Sequence, residues 1–363
     1  MKLLALFIFS LLNVSSFAAK PSQKVSFETL FDHDDVVWSI EFIDAQNLLF
    51  TGRSGKLYQL NLETKKAQLI AGTPAVYNNG QGGMLDVALH PNFAKNKMFY
   101  LTYSLPLENG EATTALFRGT LGNQQIIDGK VIFKAKTNSD ESIHFGSRIA
   151  FDKSGLLFLT VGDRNVRERA QNLNFHNGKV LRLNDDGTPA KGNPYITTAN
   201  ALPEIWSFGH RNPQGLAFNP INSVLFLNEF GPRGGDEVNI IEPTKNYGWP
   251  LVSYGREYWG PKISTSPTKA GVTDPIVHYV PSISPSGMDF YTGNKIPAWT
   301  GDLFIGALSG SHLRRLKIKE NKVIEQEELL KEYNYRFRDV KTGPDGFLYF
   351  STDSGKIARL LFK

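Results

Sequence analysis

The chain has no cysteine in 363 residues. That excludes a disulfide, a thiolate nucleophile, a cysteine-ligated zinc site and a lipoprotein anchor. Stability must come from core burial, which this length permits. No stretch carries apolar residues at helical spacing over a useful length. After the first 18 residues no run is apolar enough to cross a bilayer, so no membrane span is expected in the mature chain. A basic stripe is missing too. The formal net charge is +5, but 40 Lys and Arg are interleaved with 35 Asp and Glu, a pattern that argues against a nucleic-acid partner. A mildly basic balance suits an acidic partner or a small anionic ligand.

What is present is turn chemistry and aromatic residues: 33 Gly, 19 Pro and 25 Phe in a chain that is 41% hydrophobic. Turn residues recur about every dozen positions between short apolar runs, the signature of an all-β protein. Residues 1–18 read differently. Lys2, an apolar run over 3–12 and then "SFA" form a charged head, a core too short to span a membrane and a small-x-small cleavage site, hence a signal peptide. The mature chain is expected to begin at Ala19 as an exported protein, periplasmic or secreted, with residues 19–363 forming one domain.

A pattern of apolar strand, turn and second strand rich in Leu and Phe recurs six times. Its copies begin "WSIEFIDAQNLLF", "LDVALHPNFAKNKMFYLTYS", "SRIAFDKSGLLFLTVGDRN", "QGLAFNPINSVLFLNEFG", "SGMDFYTGNKIPAWTGDLFIGAL" and "RDVKTGPDGFLYFSTDSG". Anchored on Phe42, Leu89, Phe151, Phe218, Phe290 and Gly343, the spacings are 47, 62, 67, 72 and 53 residues. Six repeats of about four strands predict a six-bladed β-propeller with four-stranded antiparallel blades. The last copy runs out before its outer strand. The alternating segment "KVSFETL" (24–30) predicts the strand that closes the ring.

The first strand of a propeller blade lines the axis, and unusual polar residues stand just before it in five copies: Gln81-Gly82-Gly83, His144 to Arg148, Arg211 to Gly215, Ser284 to Gly287, and Arg336 to Asp339. A common phase aims them at one axial mouth. Taken singly, each has a plainer reading. His144 fits a hydrogen-bonded structural histidine as well as a base, and Arg211 fits a blade-junction ion pair. Arg336 and Arg338 share one face of an extended segment, where two cations repel unless an anion lies between them, which favours an acidic ligand. The loop "NEFGPRGGDEVNII" offers carbonyls at Gly231 and Pro232, the kind of donor that Ca²⁺ accepts. It reads equally as a glycine-rich turn with a solvated acidic pair, Asp236 and Glu237.

Over most of the mature chain the sequence resembles the soluble, pyrroloquinoline-quinone-dependent aldose sugar dehydrogenases of the glucose/sorbosone dehydrogenase family. The resemblance is carried, in order, by "GQGGMLDVALHPNF", "HFGSRIAFD", "LTVGDRN", "GHRNPQGLAFNP", "NEFGPRGGDEVNII", "NYGWP" and "RFRDVKTGPDGFLY". It implies an oxidoreductase that takes an aldose to its lactone and passes electrons to an acceptor the sequence does not identify. It also implies roles. His144 would be the general base beside the cofactor, with Gln81 and Asp163 binding the sugar or orienting the base. Arg211 and Asn212 would hold the quinone oxygens, and Arg336 and Arg338 its carboxylates. The carbonyls of Gly231 and Pro232 would hold a catalytic Ca²⁺. Two positions depart from the pattern: Ile143 replaces an acid before the histidine, and Ser309 replaces a cofactor lysine. Arg314, nearby, is expected to point away on a third strand. Competing readings are a Ca²⁺-dependent lactonase-type hydrolase and a non-catalytic sugar- or protein-binding propeller.

Overall fold

The computed structural model describes residues 25–137 and 139–362. The expected signal peptide and Lys24 lie outside the described residues. Six four-stranded antiparallel sheets account for the strands. Their innermost strands are Val37–Phe42, Met84–Leu89, Gly146–Phe151, Pro213–Phe218, Pro285–Phe290 and Phe337–Thr342. Five of the six sequence anchors are the last residue of an innermost strand, and Gly343 lies one past the sixth. Ring closure is as expected: Val25–Asp32 pairs antiparallel with Lys356–Phe362 and completes the sixth blade.

The second strands show why the Leu- and Phe-rich runs form sheet. Leu157–Val161, Leu225–Glu229, Leu303–Ala307 and Leu348–Thr352 are buried at every position. Each is covered by neighbouring blades on both faces, so a continuous apolar run replaces alternation. Outer strands such as Lys322–Leu329 meet solvent and carry charges instead. The core is divided accordingly. One cluster of buried side chains sits at each of the six blade junctions, for example Phe226 and Val238 against Met288 and Ile305, or Leu30 and Tyr349 against Ile40 and Phe50. Each buried Leu or Phe contributes about 1.5–3 kcal/mol.

All six innermost strands lose register near their starts: between Val37 and Ser39, Met84 and Val87, Gly146 and Ile149, Pro213 and Gly215, Pro285 and Met288, and Phe337 and Asp339. A bulge re-aims side chains without breaking the ladder beyond it, and the polar groups singled out in the sequence stand at these bulges. Not all of them face the mouth. Arg148 turns into the axis, where its Nη1 bridges Asp86 (3.0 Å) and Asp339 (3.1 Å) and its Nε donates to the Gln214 carbonyl (2.7 Å). Blades two, three, four and six are thereby tied at the centre.

Candidate active site

The turn into blade three is shaped by backbone of positive φ: His144 (+57°), Gly146 (+65°) and Ser147 (+86°). Gly146 is required there, since a Cβ would lie 2.7 Å from the Gly162 nitrogen. Two anchors hold His144 in its left-handed conformation. Its N–H donates to Gln81 Oε1 (2.9 Å), and its Nδ1 meets Asp163 Oδ1 at 2.7 Å. Both His144 and Asp163 are buried. Asp163 Oδ1 also accepts the Asn165 N–H (2.8 Å), and Oδ2 accepts the Trp249 indole N–H (2.7 Å).

Burial drives the His144 pKa below the usual imidazole value; Asp163 opposes the shift and Arg211 adds to it. Burial pushes Asp163 up, but the charge and hydrogen bond of His144 and the charge of Arg211 outweigh it, leaving Asp163 below the usual carboxylate range. Asp163 is therefore ionised and can only accept, so the neutral imidazole carries its proton on Nδ1. Its Nε2 makes no hydrogen bond among the described residues: a lone pair is free.

Arg211 is placed by blade four. Its N–H donates to Glu229 (2.6 Å) and its carbonyl accepts the Asp163 N–H (2.7 Å), locking the two turns together. Its guanidinium donates to the Gly231 carbonyl (3.0 Å) and lies 5.3 Å from the Trp249 ring. Asn212 Oδ1 accepts from Gly146 N–H (3.2 Å) and Gln214 (3.3 Å), and its Nδ2 has no hydrogen-bond partner among the described residues. Beside it opens a cavity of about 250 Å³ at the axial mouth, whose walls include Trp38, Gln81, Asn212, Arg336 and Arg338.

Three expectations change. The anion between Arg336 and Arg338 belongs to the chain itself: Asp353 accepts from Nε of each at 2.7 Å. Asp236 is no solvated turn acid. It is fully buried and accepts from the Gly231, Ile283 and Ser284 N–H groups and the Ser282 hydroxyl, which staples the Gly231 loop to blade five. Pro232 does not line the axial cavity; it walls a neighbouring groove with Ser309. Ser309 hydrogen-bonds Ser284 (2.8 Å), while Arg314 points away, as expected, and pairs with Glu328 (2.7 Å). Trp249 stood in a quoted motif without a role. Arg53 and Asp353 lie in turns with no distinguishing signal in the sequence, and both line the cavity.

The cavity suits a planar anion. Arg53, Arg336 and Arg338 face it against the single carboxylate of Asp353, and Arg53 Nε is buried without a partner. For a divalent cation, Gly231 and Pro232 supply neutral carbonyls only, and the described residues hold no group of three or more acidic or histidine side chains placed to bind a metal. Glu229 and Glu237 line the small pocket that holds Arg211 and Gly231, so the charge a Ca²⁺ needs there comes from these two carboxylates and from an anionic ligand.

The glucose/sorbosone dehydrogenase family matches residues 34–360. The chain belongs to that family. It is 39% identical over 361 residues to the aldose sugar dehydrogenase YliI of Escherichia coli (strain K12), covering 98% of this chain and 97% of that protein. The crystal structure of the soluble aldose sugar dehydrogenase of Escherichia coli in the apo-form superposes with a TM-score of 0.90 at 39% identity, over 94% of this chain and 100% of that one. The PQQ-bound aldose sugar dehydrogenase of Streptomyces coelicolor superposes with a TM-score of 0.79 at 25% identity, over 95% and 100%. Family membership makes this chain an oxidoreductase of the sugar dehydrogenase class. Among its described residues no helix is long and apolar enough to cross a membrane.

Proposed function

We propose that this family member is an exported quinoprotein that oxidises aldoses at C1 to lactones. In this reading residues 1–18 are removed and 19–363 act as one domain. The observation that carries the reading is the His144–Asp163 pair, buried, 2.7 Å apart and open at Nε2, beside a mouth lined by arginines. Bound pyrroloquinoline quinone supplies the hydride-accepting ring, and Ca²⁺ on the Gly231 and Pro232 carbonyls supplies Lewis-acid polarisation. His144 Nε2 takes the proton of the anomeric hydroxyl as the C1–H bond gives up its hydride and the C1–O bond becomes a carbonyl. Asp163 stabilises the resulting imidazolium, and Trp249 fixes the carboxylate. Gln81 positions the His144 turn and offers its amide N–H to the sugar. Arg211 and Asn212 place donors where negative charge develops, and Arg336 and Arg338 face the cofactor's carboxylates. The electrons then leave to an acceptor outside this chain.

The hydrolase alternative needs a metal held by side-chain acids and amides, and the axial mouth is built of arginines instead. The test is reconstitution of the mature chain with the quinone and Ca²⁺, followed by dye reduction with a panel of aldoses. Reduction that needs sugar, quinone and His144 is the expected result. Quinone-independent activity, or full activity in His144→Ala, would refute the proposal.

A further inference from the structure

Beside the axial cavity lies an open groove of about 720 Å³ between blades four and five. The two spaces adjoin. Phe230 and Leu308 line the cavity, while Pro232 and Ser309, close along the same two loops, line the groove. Its far wall is a small antiparallel ribbon. Arg233 and Arg256 exchange backbone hydrogen bonds (3.1 and 3.2 Å), and Arg256 also bridges to Lys262. Residues directly opposite in such a bridge put their side chains on one face. Three cations therefore stand in a row across the ribbon, an arrangement that destabilises it when nothing intervenes.

No acid among the described residues relieves them. Arg233 has no side-chain partner among those residues, and Arg256 reaches only the Gly260 carbonyl (3.3 Å). The nearby acids are engaged elsewhere: Glu257 holds Arg167, and Asp236 is enclosed by its four donors. Opposite the arginines the groove is lined by Ser282, Ser284 and Ser309, whose hydroxyls are engaged with Asp236 and with one another. Arginines without an acidic partner on the wall of a groove that adjoins a ligand cavity describe an anion subsite.

We propose that Arg233 and Arg256 bind a carboxylate carried by the ligands of the axial cavity. The identity of those ligands rests on the function proposed above. The carboxylate comes either from the cofactor or from an acidic aldose such as a uronic acid, and binding measurements separate the two. Arg233→Gln/Arg256→Gln is compared with the wild type by calorimetric titration of the full mature chain with pyrroloquinoline quinone, glucuronate and glucose.

The expected result is about tenfold weaker binding of one carboxylate ligand, with glucose binding unchanged. Weakened quinone binding assigns the carboxylate to the cofactor; weakened glucuronate binding with quinone unaffected assigns it to the sugar. A wild type that binds no quinone refutes the cofactor reading, and glucuronate then decides the subsite by itself. A double variant that binds each anion as the wild type does, or a wild type that binds neither anion, overturns the proposal.

Discussion

Replacing Asp163 by Asn removes one charge and keeps the shape, and the surrounding donors determine the consequence. Oδ1 accepts from His144 and from the Asn165 N–H, and Oδ2 accepts from Trp249. The new NH₂ must replace one of these oxygens. Facing Trp249, it opposes one N–H with another. Facing His144, it opposes the Asn165 N–H and forces the imidazole to accept at Nδ1, which puts the proton on Nε2 and removes the base. Either placement leaves a buried donor unpaired, a loss of about 1–3 kcal/mol in stability. The wrong tautomer costs up to ~10⁴ in rate. Because the Asp163 charge raises the His144 pKa, whatever activity remains should keep its acid limb at lower pH than the wild type. The assays are thermal melting and a pH–rate profile of quinone-loaded enzyme with saturating aldose. An Asp163→Asn enzyme within about threefold of the wild-type rate, with an unmoved acid limb, would show that Asp163 does not set the proton position.

Arg148→Met leaves Asp86 and Asp339 facing each other in the axis without their cation, and should cost about 3–5 kcal/mol in denaturant unfolding; a loss under about 1 kcal/mol would mean the axial pairs are not structural. Asp353→Asn leaves Arg336 and Arg338 uncompensated, so the melting temperature should fall and quinone should raise it by more than in the wild type; an equal rise would refute an anion role for the two arginines. His312 is buried and its pKa is pushed down to about 4, chiefly by burial. Its unfolded pKa is ~6.5, so between those values the unfolded state binds more protons and stability falls as pH falls, by roughly 3 kcal/mol in all. His312→Gln should flatten melting temperature against pH between ~6.5 and ~4, and an unchanged slope would place the titration elsewhere.

The repeat was legible because second strands such as "LFLTV" and "LFIGA" are buried on both faces and need unbroken apolar runs. Apart from the strand that closes the ring, the fourth strands were not. Lys66–Ile70 and Val277–Tyr279 lie at the rim, partly exposed, and mix polar with apolar residues over a short span, so they do not stand out from loops. At the site, the shared phase of the polar residues located the mouth, but the bulges hid which side chains enter it. Alternation cannot be counted through a register shift, so Arg148, three positions from Phe145, gave no sign that it turns inward. Asp353 was equally hidden. Its role comes from cross-strand neighbours, Phe337 opposite Thr352, and such proximity does not show in a one-dimensional reading.

The strand that closes the ring also sets the order of assembly. Val25 pairs with Phe362, near the opposite end of the chain, and Leu30 shares its apolar cluster with Tyr349 and Ile357. During synthesis, blades two to five can each stack on the blade before, but the first strand has no sheet to join until the last has been made. One face of the first blade and the matching face of the sixth stay uncovered until that moment. Contacts this distant in sequence form slowly, so the late intermediate is an open arc with two sticky ends. A chaperone acting on this protein gains most by holding those two ends apart from other chains. A cut or fusion within 25–32 would prolong the same vulnerable state without touching a single residue of the active site.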